Sequence, residues 1–429
     1  MPKRVLSLIS LALASLLTAA LVVACDNAPT TQAPTSTTGG VASELRLGSL
    51  LPVTGDLSAI GAPMVKSIDF LVDTVNQCGG VLGKPIVYLK QDDRTDPAAG
   101  AEAISKLIQV DNVGAVVGAF ASSVSTAGIA IAAPNKVVMI SPGSTSPVFT
   151  ERAKEGKFDG FWYRTAPPDT YQAAALANLA YKKGLRKVST LVINNDYGVG
   201  FEKVFVESFK QLGGQILNEA NPTRYDPKAA TFEAEARAAF GNKPDGVAAV
   251  LYTETGGAVL KSAYELGLTQ DVTILLTDGV QTEDFAKVVG NDANGNLILA
   301  GALGTVPGAD GKSLKEFSQK FTATFNQPLG AYVPHSYDAA ALVAIAAEAA
   351  KSGTGDAIRS KLSEVANPPG LEVTDVCEAI KLVKEGKEIN FQGTSGNVDL
   401  DQYGDVKGSY DVWTFTPEGK IEIIDRVAS

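Results

Sequence analysis

The chain has 429 residues, a formal net charge of −10, 45% hydrophobic and 20% charged residues. So acidic a protein repels phosphate backbones, and no basic stripe with interleaved aromatics offsets the charge, which excludes nucleic acid as a partner. A single histidine and three cysteines leave little for histidine catalysis or metal clusters, while the length exceeds what one hydrophobic core usually serves and predicts two domains.

In chain order, Lys3 and Arg4 precede an apolar run over 5–24, broken only by Ser7, Ser10, Ser15 and Thr18 and ending in Val22-Val23-Ala24-Cys25. A basic start, an apolar stretch and a small residue before the cut describe an export signal over 1–24. The cysteine after Ala24 resembles the lipobox of bacterial lipoproteins, so Cys25 is expected to carry lipid and anchor the protein to a membrane. A transmembrane anchor is the alternative, since about 20 apolar residues span a bilayer. Residues 25–43 are rich in Thr, Pro, Ala, Ser and Gly and cannot bury enough apolar surface to fold. They read as a flexible tether reaching on the order of 25 Å. Loss of Lys3 and Arg4 with the signal takes the charge to −12.

The body, 44–429, carries the same punctuation twice. An apolar run at 47–51 leads into Thr54-Gly55-Asp56, an amphipathic segment ending at Gly79 and Gly80, then Asp96-Pro97 and a second apolar run at 113–118. A run at 188–193 leads into Asp196-Tyr197-Gly198, a segment ending at Gly213 and Gly214, then Asp226-Pro227 and a run at 246–251. Each copy predicts strand, helix, strand, helix, strand. Met64, Ile68, Leu71, Val72 and Val75 recur at helical spacing, as do Phe201, Val204, Phe205, Phe209 and Leu212. Runs at 86–89, 137–140, 188–193, 247–251 and 273–276 are short, apolar and β-branched, the pattern of buried parallel strands. Residues 337–350 predict a buried alanine-rich helix, and 393–412 a hairpin or crossover. With Cys25 lipidated, Cys78 and Cys377 remain as an even pair in an oxidising compartment, where a disulfide is expected. Two separate buried thiols are the alternative.

Catalytic patterns fail one after another. His335 stands alone. Gly311-Lys312-Ser313 resembles the end of a phosphate loop, but its first glycine would fall at Val306. Asp399, Asp401 and Gly404 begin like a calcium loop, yet Tyr403 and Tyr410 occupy donor positions, so a turn is expected. No metal or cofactor is predicted. What stands at the strand ends is hydroxyls: 119–126 and Ser141 to Ser146. Ligands of open parallel sheets sit beyond the carboxyl ends of the strands, where helix N–H groups and hydroxyls together receive a carboxylate. Plain N-capping is the alternative for Ser122 and Thr145.

The segment 118–126, the run Ile140-Ser141-Pro142-Gly143-Ser144-Thr145-Ser146-Pro147, the loop Asp196-Tyr197-Gly198 and Tyr337-Asp338-Ala339 resemble leucine/isoleucine/valine-type solute-binding proteins of ABC importers, over essentially all of 44–420. The resemblance implies an α/β type I periplasmic binding protein with two Rossmann-like lobes joined by three crossovers, lobe I being 44–166 plus 306–398 and lobe II 167–305 plus 399–429. It implies a monomeric, lipid-anchored receptor outside the cytoplasm, not an enzyme, that hands an amino acid to an ABC permease. Ser122 and Thr145 would hold the ligand's carboxylate, the Ser144 carbonyl and Asp278 its ammonium, and Tyr197 and Tyr252 would close over it. Asp278 replaces the family's Glu, which shortens its reach. The alternative ligand is a neutral amide or urea, which would leave the acid at 278 unpaired; the remote alternative is a secreted two-domain α/β enzyme.

Overall fold

The computed structural model describes residues 43–428; the expected export signal, Cys25 and nearly all of the tether lie outside the described residues. The first apolar run forms β1 (Arg46–Leu51), followed by α1 (Ser58–Gln77), β2 (Val87–Asp92), α2 (Pro97–Gln109), β3 (Ala115–Gly118), α3 (Ser122–Ala132), β4 (Val138–Ser141), α4 (Val148–Lys154) and β5 (Trp162–Arg164). Met64, Ile68, Leu71 and Val75 make the buried stripe of α1. That helix stops at Gly79 and Gly80 because Gly80 takes a positive φ of 73°, and a Cβ there would lie 2.0 Å from the Lys84 carbonyl oxygen. Asp96 caps α2, accepting from the N–H groups of Ala98 and Ala99 at 2.9 and 3.0 Å. All four pairings in this sheet are parallel, in the order β2-β1-β3-β4-β5.

The second sheet repeats that order. After α5 (Asp169–Lys182) come β6 (Lys187–Ile193), α6 (Asp196–Gln211), the short β7 (Gln215–Ile216) and β8 (Thr223–Tyr225), α7 (Glu233–Phe240), β9 (Gly246–Val250), α8 (Thr253–Glu265), β10 (Thr273–Leu276), α9 (Glu283–Val289) and β11 (Leu303–Pro307). β6 pairs with β7, β8 and β9, β9 with β10, and β10 with β11, all in parallel. The internal repeat therefore extends to five strand positions on each side, β7 and β8 sharing the one beside β6.

The chain then returns to the first sheet. α10 (Leu314–Phe325), α11 (Val333–Ala349), α12 (Gly355–Ala366) and α13 (Val376–Lys384), with β12 (Leu371–Val373) and β13 (Ile389–Phe391) as a two-stranded parallel pair, pack on or beside α1, β3 and β4. Sixteen of the residues of α11 are buried, from Val333 to Glu348, which accounts for an alanine-rich helix without a polar face. Its Asp338 accepts from the N–H groups of Thr394 and Ser395, both at 2.7 Å, and pins the segment leaving β13. Cys78 at the end of α1 and Cys377 in α13 form a disulfide with a Cα–Cα distance of 6.0 Å, tying residues 299 apart in sequence to one lobe.

β14 (Ser409–Phe415) and β15 (Ile421–Ala428) close the fold, pairing antiparallel with β11 and with each other. The chain crosses between the sheets at 165–168, 308–313 and 406–408. Before the last crossing the expected calcium-like loop is a turn, with Asp401 Oδ1 accepting from the N–H groups of Tyr403 and Asp405 at 2.8 and 3.0 Å. The sequence boundary at 306 falls within β11, which stays with the second sheet. The boundary at 398 precedes Gly404, whose carbonyl still accepts from Arg164 N on β5 at 2.9 Å.

Candidate functional site

The carboxyl ends of both sheets face one buried cluster. On the first side, β3 ends at Gly118, whose φ of 139° and contact with the Leu50 carbonyl, 2.1 Å from a would-be Cβ, admit no side chain. Ser122 opens α3, and its hydroxyl accepts from Ser146 N at 3.3 Å, joining the loops after β3 and β4. The Ser144 hydroxyl knots the same loops, reaching Ser125 Oγ at 2.8 Å and the Phe120 carbonyl at 3.0 Å. The Ser144 carbonyl accepts from Arg164 Nη1 at 3.1 Å, and so does that of Ser146 at 3.0 Å. Arg164 is fully buried and paired through Nε with Asp405 at 2.7 Å. One buried cation thus fixes the hydroxyl-bearing loop by its carbonyls. Thr145 is fully buried, and its Oγ1 has no hydrogen-bond partner among the described residues.

The second side is acidic and aromatic. Asp278, 3% exposed, follows β10. Its Oδ1 lies 2.9 Å from Tyr197 OH and accepts from Gln172 Nε2 at 2.7 Å; its Oδ2 accepts from Tyr332 OH at 2.7 Å. Tyr197, on α6, stacks on Tyr252 with centroids 6.0 Å apart and planes 10° apart, and Asn195 Nδ2 donates to Tyr252 OH at 3.1 Å. The structure therefore brings Ser122, Ser144, Thr145, Tyr197, Tyr252 and Asp278 into one region between the sheets.

Three further residues belong to it. Asp169 and Gln172 stand at positions i and i+3 of the first turn of α5, on one face. Asp169 is fully buried, its N–H donates to the Thr145 carbonyl at 2.8 Å, and neither of its carboxylate oxygens has a partner among the described residues; nor has Gln172 Oε1. Tyr332 reaches the second side from the first, packed edge-on against Phe120 at 4.9 Å. Pro167-Pro168-Asp169 is a readable helix start, and that was the available signal for Asp169. Tyr332 had none, since its partner lies 54 residues away across the cleft.

Burial is the main force on both acids. It raises the Asp278 carboxyl above the ordinary carboxylate range against the pull of Tyr332, Tyr197 and Gln172. It raises Asp169 further, with the Asp278 charge adding to it and the neighbouring Thr145 hydroxyl and Arg164 opposing. The tyrosines 197 and 332 are driven well up by burial and by Asp278, so they stay phenols and donate. With Arg164 committed to Asp405, two buried carboxylates share a site with no free cation among the described residues. Acceptors in surplus, beside the Thr145 hydroxyl, suit a ligand that brings both a cation and an acceptor.

Two cavities of about 510 Å³ lie beside this cluster, one against Lys154 and Tyr403, the other against Lys315 and Arg426 and meeting the cluster at Tyr332. Neither is lined by Ser122, Thr145, Tyr197 or Asp278. The strand-end cluster is the better candidate because its polar atoms are buried and convergent.

Residues 64–418 match the family described as "Receptor family ligand binding region". The chain belongs to this family. It is a family of ligand-binding proteins, not of enzymes. Among its relatives, the chemotactic signal transduction system substrate-binding protein BasB of Halobacterium salinarum is 28% identical over 380 residues, 82% of this chain and 83% of that one. The leucine binding protein LivK of Thermotoga maritima superposes with a TM-score of 0.74 at 25% identity, covering 90% of this chain and 99% of that one. LivJ of Streptococcus pneumoniae, the branched-chain amino acid transporter substrate binding protein in complex with isoleucine, does so at 0.73 and 23%, covering 90% and 100%. The fold is that of the type I periplasmic binding proteins, two lobes about a cleft.

Proposed function

We propose that this protein is the extracytoplasmic solute-binding component of an ABC importer and captures an amino acid, neutral or branched-chain, between its two lobes. One observation carries the reading: the Thr145 hydroxyl and the Asp169 carboxylate are buried side by side, linked by the bond from Asp169 N to the Thr145 carbonyl, and apart from each other neither has a partner among the described residues. The Thr145 and Ser122 hydroxyls, with N–H groups of their loops, take the ligand's carboxylate. Asp278 and Asp169 take its ammonium, with Gln172 Oε1 as a third acceptor. Tyr197 and Tyr252 cover it, and the ligand favours closure because it touches both lobes at once.

Magnitudes agree with this assignment. A micromolar ligand needs about 8 kcal/mol, and hydrogen bonds to charged groups supply roughly 1.5–3 kcal/mol each. The names of LivK and LivJ support a branched-chain ligand. A neutral amide or urea fits less well, because it would leave two buried acids uncompensated. Val22-Val23-Ala24-Cys25 supports a lipid anchor on Cys25, with the permease as the partner that receives the ligand.

A thermal-shift screen against amino acids, amides and urea identifies the ligand, which raises the midpoint by binding only native protein. Calorimetry then tests the charge match. Asp278→Asn is expected to cost about 2–5 kcal/mol, or roughly thirtyfold to several thousandfold in Kd. Unchanged affinity, or a preferred ligand with no amino group, overturns the assignment.

A further inference from the structure

The loop that opens each repeat carries an aspartate, and each aspartate reaches the opposite lobe. Asp56, between β1 and α1, accepts from the N–H groups of Glu254 and Thr255, the latter at 3.2 Å, and from Thr255 Oγ1. These groups lie in the first turn of α8, whose own N-cap, Tyr252, makes no side-chain cap. Asp196, opening α6, accepts at Oδ2 from Thr126 Oγ1 of α3 at 2.6 Å, while its carbonyl accepts from Ser146 Oγ at 2.8 Å. α3 follows β3 and α8 follows β9, strands at matching places in the two sheets. The first loop of each copy thus holds the third helix of the other.

We propose that Asp56 and Asp196 form a reciprocal latch that holds the cleft shut around its ligand, acting as positioning residues for capture. The inference rests on the strand-end cluster being the ligand site. Neither aspartate belongs to that cluster. Both are half-buried, as befits groups that return to water when the lobes part. The Asp56 loop is held in advance: Thr54 Oγ1 bonds Asp92 Oδ2 at 2.6 Å and Leu57 N bonds Thr95 Oγ1 at 3.1 Å, so little ordering is needed on closure. Asp56 satisfies N–H groups that α8 leaves open and stands at the positive end of its dipole. The contact also reaches the aromatic cover, since Thr255 Oγ1 lies 3.4 Å from Tyr225 OH, which accepts from Tyr252 N at 3.2 Å. By contrast, Lys228 and Asp96 pair across the cleft at 3.3 Å with the lysine 79% exposed, a contact that adds little.

A latch made on closure acts on release, not on encounter. In the full-length protein, Asp56→Ala and Thr126→Val are each expected to raise koff for the best amino acid ligand about two- to thirtyfold, the range of a lost helix cap. The association rate should stay within about twofold, and the ligand-free Tm within about 2 °C, less than the shift from one lost kcal/mol. Asp56→Asn, which keeps an acceptor but loses the charge, should fall between wild type and Asp56→Ala. Unchanged koff, or a fall in ligand-free Tm that parallels the affinity loss, overturns the latch. If the wild-type protein binds no amino acid, the functional reading fails separately. The latch is then judged on whichever other solute the thermal-shift screen returns, for which Asp56→Ala must raise koff; an unchanged koff overturns it.

Discussion

The two repeat copies share a strand order, yet the ends of their strands offer opposite chemistry. The first presents the hydroxyls of Ser122 and Thr145, in loops that a buried arginine fixes from behind through the carbonyls of Ser144 and Ser146. The second presents carboxylates and phenols, with acceptors in surplus. Topology follows from apolar periodicity, which both copies have; what the cleft prefers is decided by a few strand-end residues that the periodicity does not constrain. A duplicated frame thus makes a cleft with a positive-seeking wall and a negative-seeking wall.

The most damaging way to break this contrast is to remove the cation behind the first wall. Arg164→Ala leaves Asp405 buried without its partner and frees the carbonyls of Ser144 and Ser146. Losing one member of a buried pair costs about 3–5 kcal/mol, which urea unfolding of ligand-free protein should register along with lost binding. Altering the second wall should separate binding from stability. In Asp169→Asn, affinity should fall by roughly tenfold or more, as expected from about 1.5–3 kcal/mol for a charged hydrogen bond, while ligand-free protein becomes more stable at pH 8. The sign follows from the raised carboxyl. Above about pH 4 the unfolded chain has released a proton that the folded protein retains, so wild-type stability falls as pH rises from that range towards the raised values of Asp169 and Asp278. The variant lacks part of that slope, and thermal melts from pH 4 to 9 measure it. Removing the hydroxyl should matter least: Thr145→Val is expected to weaken binding about fivefold, near 1 kcal/mol, because N–H groups still face the carboxylate.

Much of the frame was legible in the sequence. The apolar runs, the glycine stops and the even cysteine pair predicted strands, helices and the bridge between Cys78 and Cys377. The second Asp-Pro pair misled in detail. Asp226 closes a turn through Lys228 N at 2.9 Å, and α7 begins only at Glu233, because no apolar stripe follows at once. β5, β11 and the antiparallel β14 and β15 escaped notice, three of them being short or mixed in polarity. Within the site, hydroxyls and aromatics near glycine-bounded strand ends could be read locally. Arg164 and Tyr332 could not, since each has its meaning only through partners far away in sequence, Asp405 and Asp278.

The threefold passage between the sheets has a consequence for how the protein is made. The helices that cover the first sheet, α11 to α13, are encoded after the whole of the second sheet's parallel set. As the chain is synthesised, its amino-terminal half must wait, partly uncovered, until α13, with Cys377 to pair with Cys78, has arrived. The carboxyl-terminal lobe meanwhile lacks β14 and β15 until the last stretch is out. Neither half can mature ahead of the other, so a premature stop late in the message would spoil both.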